Sequence, residues 1–135
     1  VSRNIYRVKT KYGIEVTRQS DRPYKFVIIS FGQSEAFLRS RHEAKAKYLN
    51  ELAARYRIAE RTGTDPKYPQ DGGRFVAEDY RRWAEDTEAK AAIPFVAEEA
   101  KLMVHGWSMS MKGAMAMERE AVKYRYLNIE VLPVA

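Results

Sequence analysis

The sequence predicts an α+β protein: an antiparallel sheet of three to four N-terminal strands plus a C-terminal strand, packed with three helices, the last one long. Three observations carry this. Apolar and polar residues alternate in short runs between glycine- and proline-containing turns before residue 32. Apolar residues then recur at three- and four-residue steps over 44–59, 76–87 and 93–122. Alternation returns at Leu127, Ile129 and Val131.

Ile5 to Thr10 alternates as a strand, with Tyr6 and Val8 on one face and Arg7 and Lys9 on the other. Lys11-Tyr12-Gly13 is a turn, and Ile14 to Gln19 is the returning strand of a hairpin with one dry face and one wet face. After the turn Ser20-Asp21-Arg22-Pro23, Tyr24 to Phe31 is apolar on both faces, the signature of a central strand covered on both sides. Ala36 to Arg39 reads either as a short fourth strand or as part of a helix already begun at Ser34. The later start is preferred, because Ser40-Arg41-His42-Glu43 matches a capping box.

From there a helix runs to Thr62-Gly63, with Ala44, Tyr48, Leu49, Leu52, Ala53, Tyr56 and Ala59 expected to face the core. Residues 64–73 form a loop rich in turn signals. Its Gly72-Gly73 pair precedes a helix but lacks a Walker lysine pattern, so it reads as a linker. Arg74 to Ala92 is the second helix, with Val76, Tyr80, Trp83, Ala84 and Thr87 inward.

Ile93 to Tyr124 reads as one long helix, opened by Pro94 and closed by Lys123 and Arg125. One apolar stripe on it takes in Ile93, Val96, Ala97, Ala100, Met103, Val104, Trp107, Met111, Ala114, Met115 and Val122, and a second, Leu102, Gly106, Met109, Gly113 and Ala116, steps by four, three, four and three. Glycine inside a helix costs ~1 kcal/mol relative to alanine, so this stripe is expected where another backbone comes close. It is read as core or as a partner surface, including a homodimer seam. At ~1.5 Å per residue such a helix must break at a glycine or project toward a partner. Leu127 to Val134 is a strand expected to return beside the third strand.

The length suits a single α+β domain over residues 1–135: sheet and helix 1–62, loop 63–73, and a helical part with the final strand 74–135. There is no cysteine, and no signal-peptide pattern or transmembrane run, which fits a cytoplasmic protein with no membrane association. The net charge of +6 is uneven. Residues 1–62 carry fourteen Lys and Arg against six Asp and Glu, a net +8, and the remainder carries ten against twelve, a net −2. The basic half is the candidate surface for an anionic partner.

No catalytic, cofactor or metal signature appears. His42 and His105 lack metal-ligand spacing, and His105 falls on a wet helix face. Ser108 and Ser110 lack a nucleophile-elbow pattern. Adjacent acids such as Glu98-Glu99 diverge on a helix. The expected function is therefore a non-catalytic binding protein.

Residues 5–56 run strand, strand, strand, helix, with Leu38-Arg39-Ser40-Arg41-His42-Glu43-Ala44 at the start of the helix and Tyr48-Leu49 further in. This arrangement resembles the DNA-binding arms of tyrosine recombinases, a three-stranded sheet followed by a helix. The resemblance covers under half of the chain, and the recombinase catalytic residues are not recognisable. It implies that Arg7, Lys9, Lys11, Arg18, Lys25 and Lys47 meet nucleic acid, with Tyr12 or Tyr24 at a groove edge. The alternative is a protein-interaction module, a homodimer or an inhibitor or adaptor of the phage or mobile-element type, using the glycine/methionine stripe.

Overall fold

The computed structural model describes residues 4–134. The chain is α+β, with five strands and three helices among the described residues. It divides into two compact units. One takes the chain up to Phe37 together with Glu98 onward, and the other is Leu38–Ala97.

In the first unit, strands β1 (Asn4–Lys9) and β2 (Glu15–Ser20) pair antiparallel, with Val8 opposite Val16 and Lys9 opposite Glu15. The turn is closed by Thr10, whose N–H and hydroxyl both donate to the Ile14 carbonyl, at 3.0 and 2.7 Å. Gly13 supplies a φ of 76° there. Strand β3 (Phe26–Phe31) is central in a second sheet of order β4-β3-β5, antiparallel to both neighbours. Val27, Ile28, Ile29 and Ser30 are all fully buried. The final strand β5 (Glu130–Pro133) returns beside β3 as the sequence predicts, with Val131 opposite Ile28.

Two layers cover β3. On one face Val27, Ile29 and Trp107 form a core with Val16 and Tyr24, flanked by Tyr6, Val8 and Leu132, so the dry face of the β1–β2 hairpin closes that side. On the other lies helix α3 (Met111–Lys123), which buries Ala114 and Ala121.

The long C-terminal helix does not form. Residues 93–101 are irregular, Leu102–Ser108 is strand β4, and α3 begins only at Met111. Buried β3 needs hydrogen-bond partners along both edges, and β5 supplies only one edge. The second comes from β4, which holds the β-favouring Val104 and Trp107. The turn into α3 is capped by Ser110, whose hydroxyl accepts from the Gly113 N–H at 3.2 Å. The long helix is instead the first, α1 (Glu35–Thr62). It starts ahead of the predicted Ser40 box, with the Ser34 hydroxyl accepting from the Phe37 N–H at 3.3 Å, so Ala36 to Arg39 is helical and not a fourth strand.

In the second unit α1 ends as predicted at Gly63, which has a φ of 80° and donates its N–H to the Ala59 carbonyl. A loop containing one 3-10 turn (Pro69–Asp71) leads to α2 (Ala77–Ala91). Tyr80, Ala84 and Thr87 are buried on α2, and Ala53 and Ala59 on α1. Arg57 reaches across to Glu88 at 2.6 Å. Among the described residues no helix is long and apolar enough to cross a membrane.

Candidate nucleic-acid interface

The register of the hairpin decides which side chains share its outer face. Arg7 lies opposite Thr17, Lys9 opposite Glu15 and Ile5 opposite Gln19. Cross-strand partners point to the same side of a ribbon, and all six of these residues are exposed. Tyr6, Val8 and Val16 occupy the other side, against the core. The outer face therefore presents Arg7, Lys9, Thr17 and Gln19 around the apolar Ile5. Its one carboxylate, Glu15, sits 3.6 Å from the Arg7 guanidinium.

Of the six residues expected to meet nucleic acid, the five in the first unit do not share one face. Arg7 and Lys9 are together. Arg18 lies opposite Tyr6, hence on the inward-facing side, and its guanidinium stacks over the Tyr24 ring at 5.3 Å. Lys11 sits in the turn and pairs with Glu130 at 3.3 Å, and hydrogen bonding to that carboxylate raises its pKa. Lys25 is exposed just ahead of β3, its backbone held by Ser108 and Val134. Lys47 belongs to α1 in the other unit. The two tyrosines expected at a groove edge are turned inward: Tyr24 is buried beside Trp107, and Tyr12 stacks on Phe31 at 4.2 Å. Ile5, Thr17 and Gln19 join Arg7 and Lys9 on this face, although their own residue types do not single them out. Their signal was available in the strict alternation, once the hairpin register is laid out from the Gly13 turn.

The glycine/methionine stripe is dispersed by the break in the predicted helix. Leu102 and Gly106 lie on β4, Met109 in the turn after it, and Gly113 and Ala116 on α3. Each glycine allows a close approach within the unit. A Cβ on Gly106 would stand 2.7 Å from Met117 Sδ, and one on Gly113 would stand 2.6 Å from Ser108 Oγ.

No protein-family model, no curated protein and no solved structure matches the chain.

A second polar feature lies on the α3 side of the sheet. The register between β3 and β4 shifts between Ile28 and Ile29, which face Gly106 and Val104, leaving His105 as the extra residue of a β-bulge. The bulge turns His105 to the same side as Gly106. There its Nε2 meets the Ser30 hydroxyl at 2.6 Å, and its ring stands edge-on to Tyr126 at 4.5 Å between centroids. Burial lowers the His105 pKa below its ordinary value. A small cleft of about 130 Å³ opens beside it, lined also by Met117, Glu120 and Tyr124. Ser30 is wholly buried. Its hydroxyl ties β3 to β4. Among the described residues no three His, Cys, Asp or Glu converge as a metal site.

Proposed function

We propose that the protein is a non-catalytic nucleic-acid-binding protein that uses the outer face of the β1–β2 hairpin on duplex DNA. The observation that carries this reading is the placement of Arg7, Lys9, Thr17 and Gln19 on one exposed face of a ribbon whose other face is anchored in a core. A two-stranded ribbon fits a major groove ~12 Å wide, where arginine, lysine and glutamine donate to base edges and phosphates. Charge agrees: residues 4–25 hold six Lys and Arg against two Asp and Glu. Binding of a labelled random duplex, followed by fluorescence anisotropy across a salt series, tests the reading. Affinity should fall with salt, each phosphate contact adding ~0.9 to the logarithmic slope. Affinity unchanged in the Arg7→Glu, Lys9→Glu double variant would refute it.

A protein-interaction surface is the second reading. It is favoured by Met111, Met115 and Val122, which leave an apolar stretch of α3 about half exposed beside the equally exposed Met109. Methionine-rich surfaces adapt to varied partners. Light scattering on a sizing column, with and without Met115→Lys, reads whether this face associates with itself.

A further inference from the structure

The second unit contains an aromatic-walled cleft that the hairpin reading does not use. Its volume is about 250 Å³. Trp83 on α2 is its hub, with Phe75 edge-on at 5.0 Å and Tyr56 of α1 at 5.9 Å between centroids. Buried Tyr80 stands edge-on to the same indole at 5.5 Å, fixing its orientation. Tyr68, from the loop, completes the lining. Phe75 and Tyr68 remain substantially exposed, so these rings form an open wall.

The polar groups of the cleft are matched in charge but not in hydrogen bonding. Arg55 Nε lies 3.0 Å from Asp65 Oδ1, yet its N–H is not aimed at that oxygen and finds no acceptor. Asp65 Oδ1 instead accepts from the Lys67 N–H at 3.0 Å. Asp71 has only a loose ion pair with Arg74 at 3.8 Å, beyond hydrogen-bond length. The cleft thus offers an arginine whose Nε–H has no acceptor, a carboxylate held only by a loose ion pair, and aromatic walls. Around it Arg55, Lys67 and Arg74 outnumber Asp65 and Asp71 by one positive charge.

We infer that this cleft binds an unpaired nucleobase carrying a phosphate. A base presents π faces to the rings, an acceptor edge to Arg55 and an amino or imino donor to Asp71. The surplus positive charge at the rim complements one phosphate and disfavours an organic cation, the other ligand that aromatic walls attract. The size agrees. Pockets for drug-sized ligands run ~300–1,000 Å³, so this cleft holds one ring system and leaves sugar and phosphate at the mouth.

The test uses the full chain with Arg7→Ser and Lys9→Ser, so that failure of the hairpin reading and failure of this one are separable. A short labelled single strand, an abasic strand of equal length, and adenosine and uridine monophosphates are titrated in turn. The expected result is binding of the single strand with the abasic strand about tenfold weaker or worse, and a similar loss in Tyr68→Ala with Phe75→Ala at unchanged circular dichroism. Tyr68→Phe should retain binding. A monophosphate bound as tightly as the strand identifies a free nucleotide as the ligand, and a tighter strand identifies single-stranded nucleic acid. Equal affinity for the abasic strand, indifference to loss of the rings, displacement by tetramethylammonium ahead of a monophosphate, or no binding of strand or monophosphate each overturns the inference.

Discussion

Ser30 Oγ and His105 Nε2 stand 2.6 Å apart across the β3–β4 ladder, 75 residues apart in sequence, and the bulge at His105 is what brings them together. The hydroxyl is fully buried in the central strand and requires a partner. The histidine supplies it while remaining neutral, because burial opposes its charged form.

Stability should therefore fall as pH drops through the unfolded histidine range. The folded pKa of His105 lies below the unfolded value of ~6.5, so below that pH the unfolded chain binds more protons than the folded one. The loss begins near ~6.5 and levels off once pH passes below the folded value. Urea midpoints at about pH 7.5 and 5.5 measure it, above the main carboxylate range. His105→Gln should be less stable at neutral pH but should lose most of the slope. An equal slope in the variant would assign the effect elsewhere.

Gly106 is held to its size by Met117. Gly106→Val should cost about 1–3 kcal/mol through overpacking, since its Cβ would meet the thioether at 2.7 Å. Met117→Ala alone should also destabilise, and the pair should be better than additive. A double-mutant cycle by denaturant unfolding reads the coupling.

Gly63 makes a contrasting case. No atom lies within 4 Å of a Cβ placed there, yet its φ is 80°. Gly63→Ala should cost about 1 kcal/mol from backbone conformation alone. Gly63→Asn should recover part of it, because asparagine tolerates the left-handed region. Thermal melts of the variants decide.

Arg7 and Arg18 should respond differently although both are basic residues of one hairpin. Arg7→Ser with Lys9→Ser should leave stability within about 0.5 kcal/mol, both residues being exposed and no like charge being set against Glu15, while strongly weakening duplex binding. Arg18→Ala should lower stability by about 0.5–1 kcal/mol, since its guanidinium stacks on Tyr24. A melt run beside the binding assay separates the two.

Strands β1 and β2 are legible because each alternates and is bounded by its own turn. Gly13 closes the hairpin, and a run apolar on both faces, broken only by Ser30, marks β3 as central. Strand β4 was hidden by its bulge. Val104 and Trp107 oppose Ile29 and Val27, and so share a face although they are three residues apart, which is the step of a helix. The same insertion set His105 and Gly106 on one side. Merged with the periodic α3 that follows, the segment imitated one long helix, and the stripe containing Gly106 and Gly113 was counted across two elements. Nothing local to residues 102–108 reveals the bulge. It follows from the need of β3 for a second edge partner. The aromatic cleft was equally hidden, since Arg55, Tyr68 and Trp83 converge only when the loop folds back on α1 and α2.

The division of the chain also has a temporal side. Leu38–Ala97 is continuous, whereas the other unit draws on segments to either side of it. During synthesis, at ~5–20 residues per second, the middle portion is complete before β4 or β5 exists. For those seconds β3 has neither of its neighbours, and its apolar side chains wait with open edges beside the hairpin. A ribosome pausing before β4 and β5 are made would hold β3 with both edges unpaired, open to pairing with a strand of another chain.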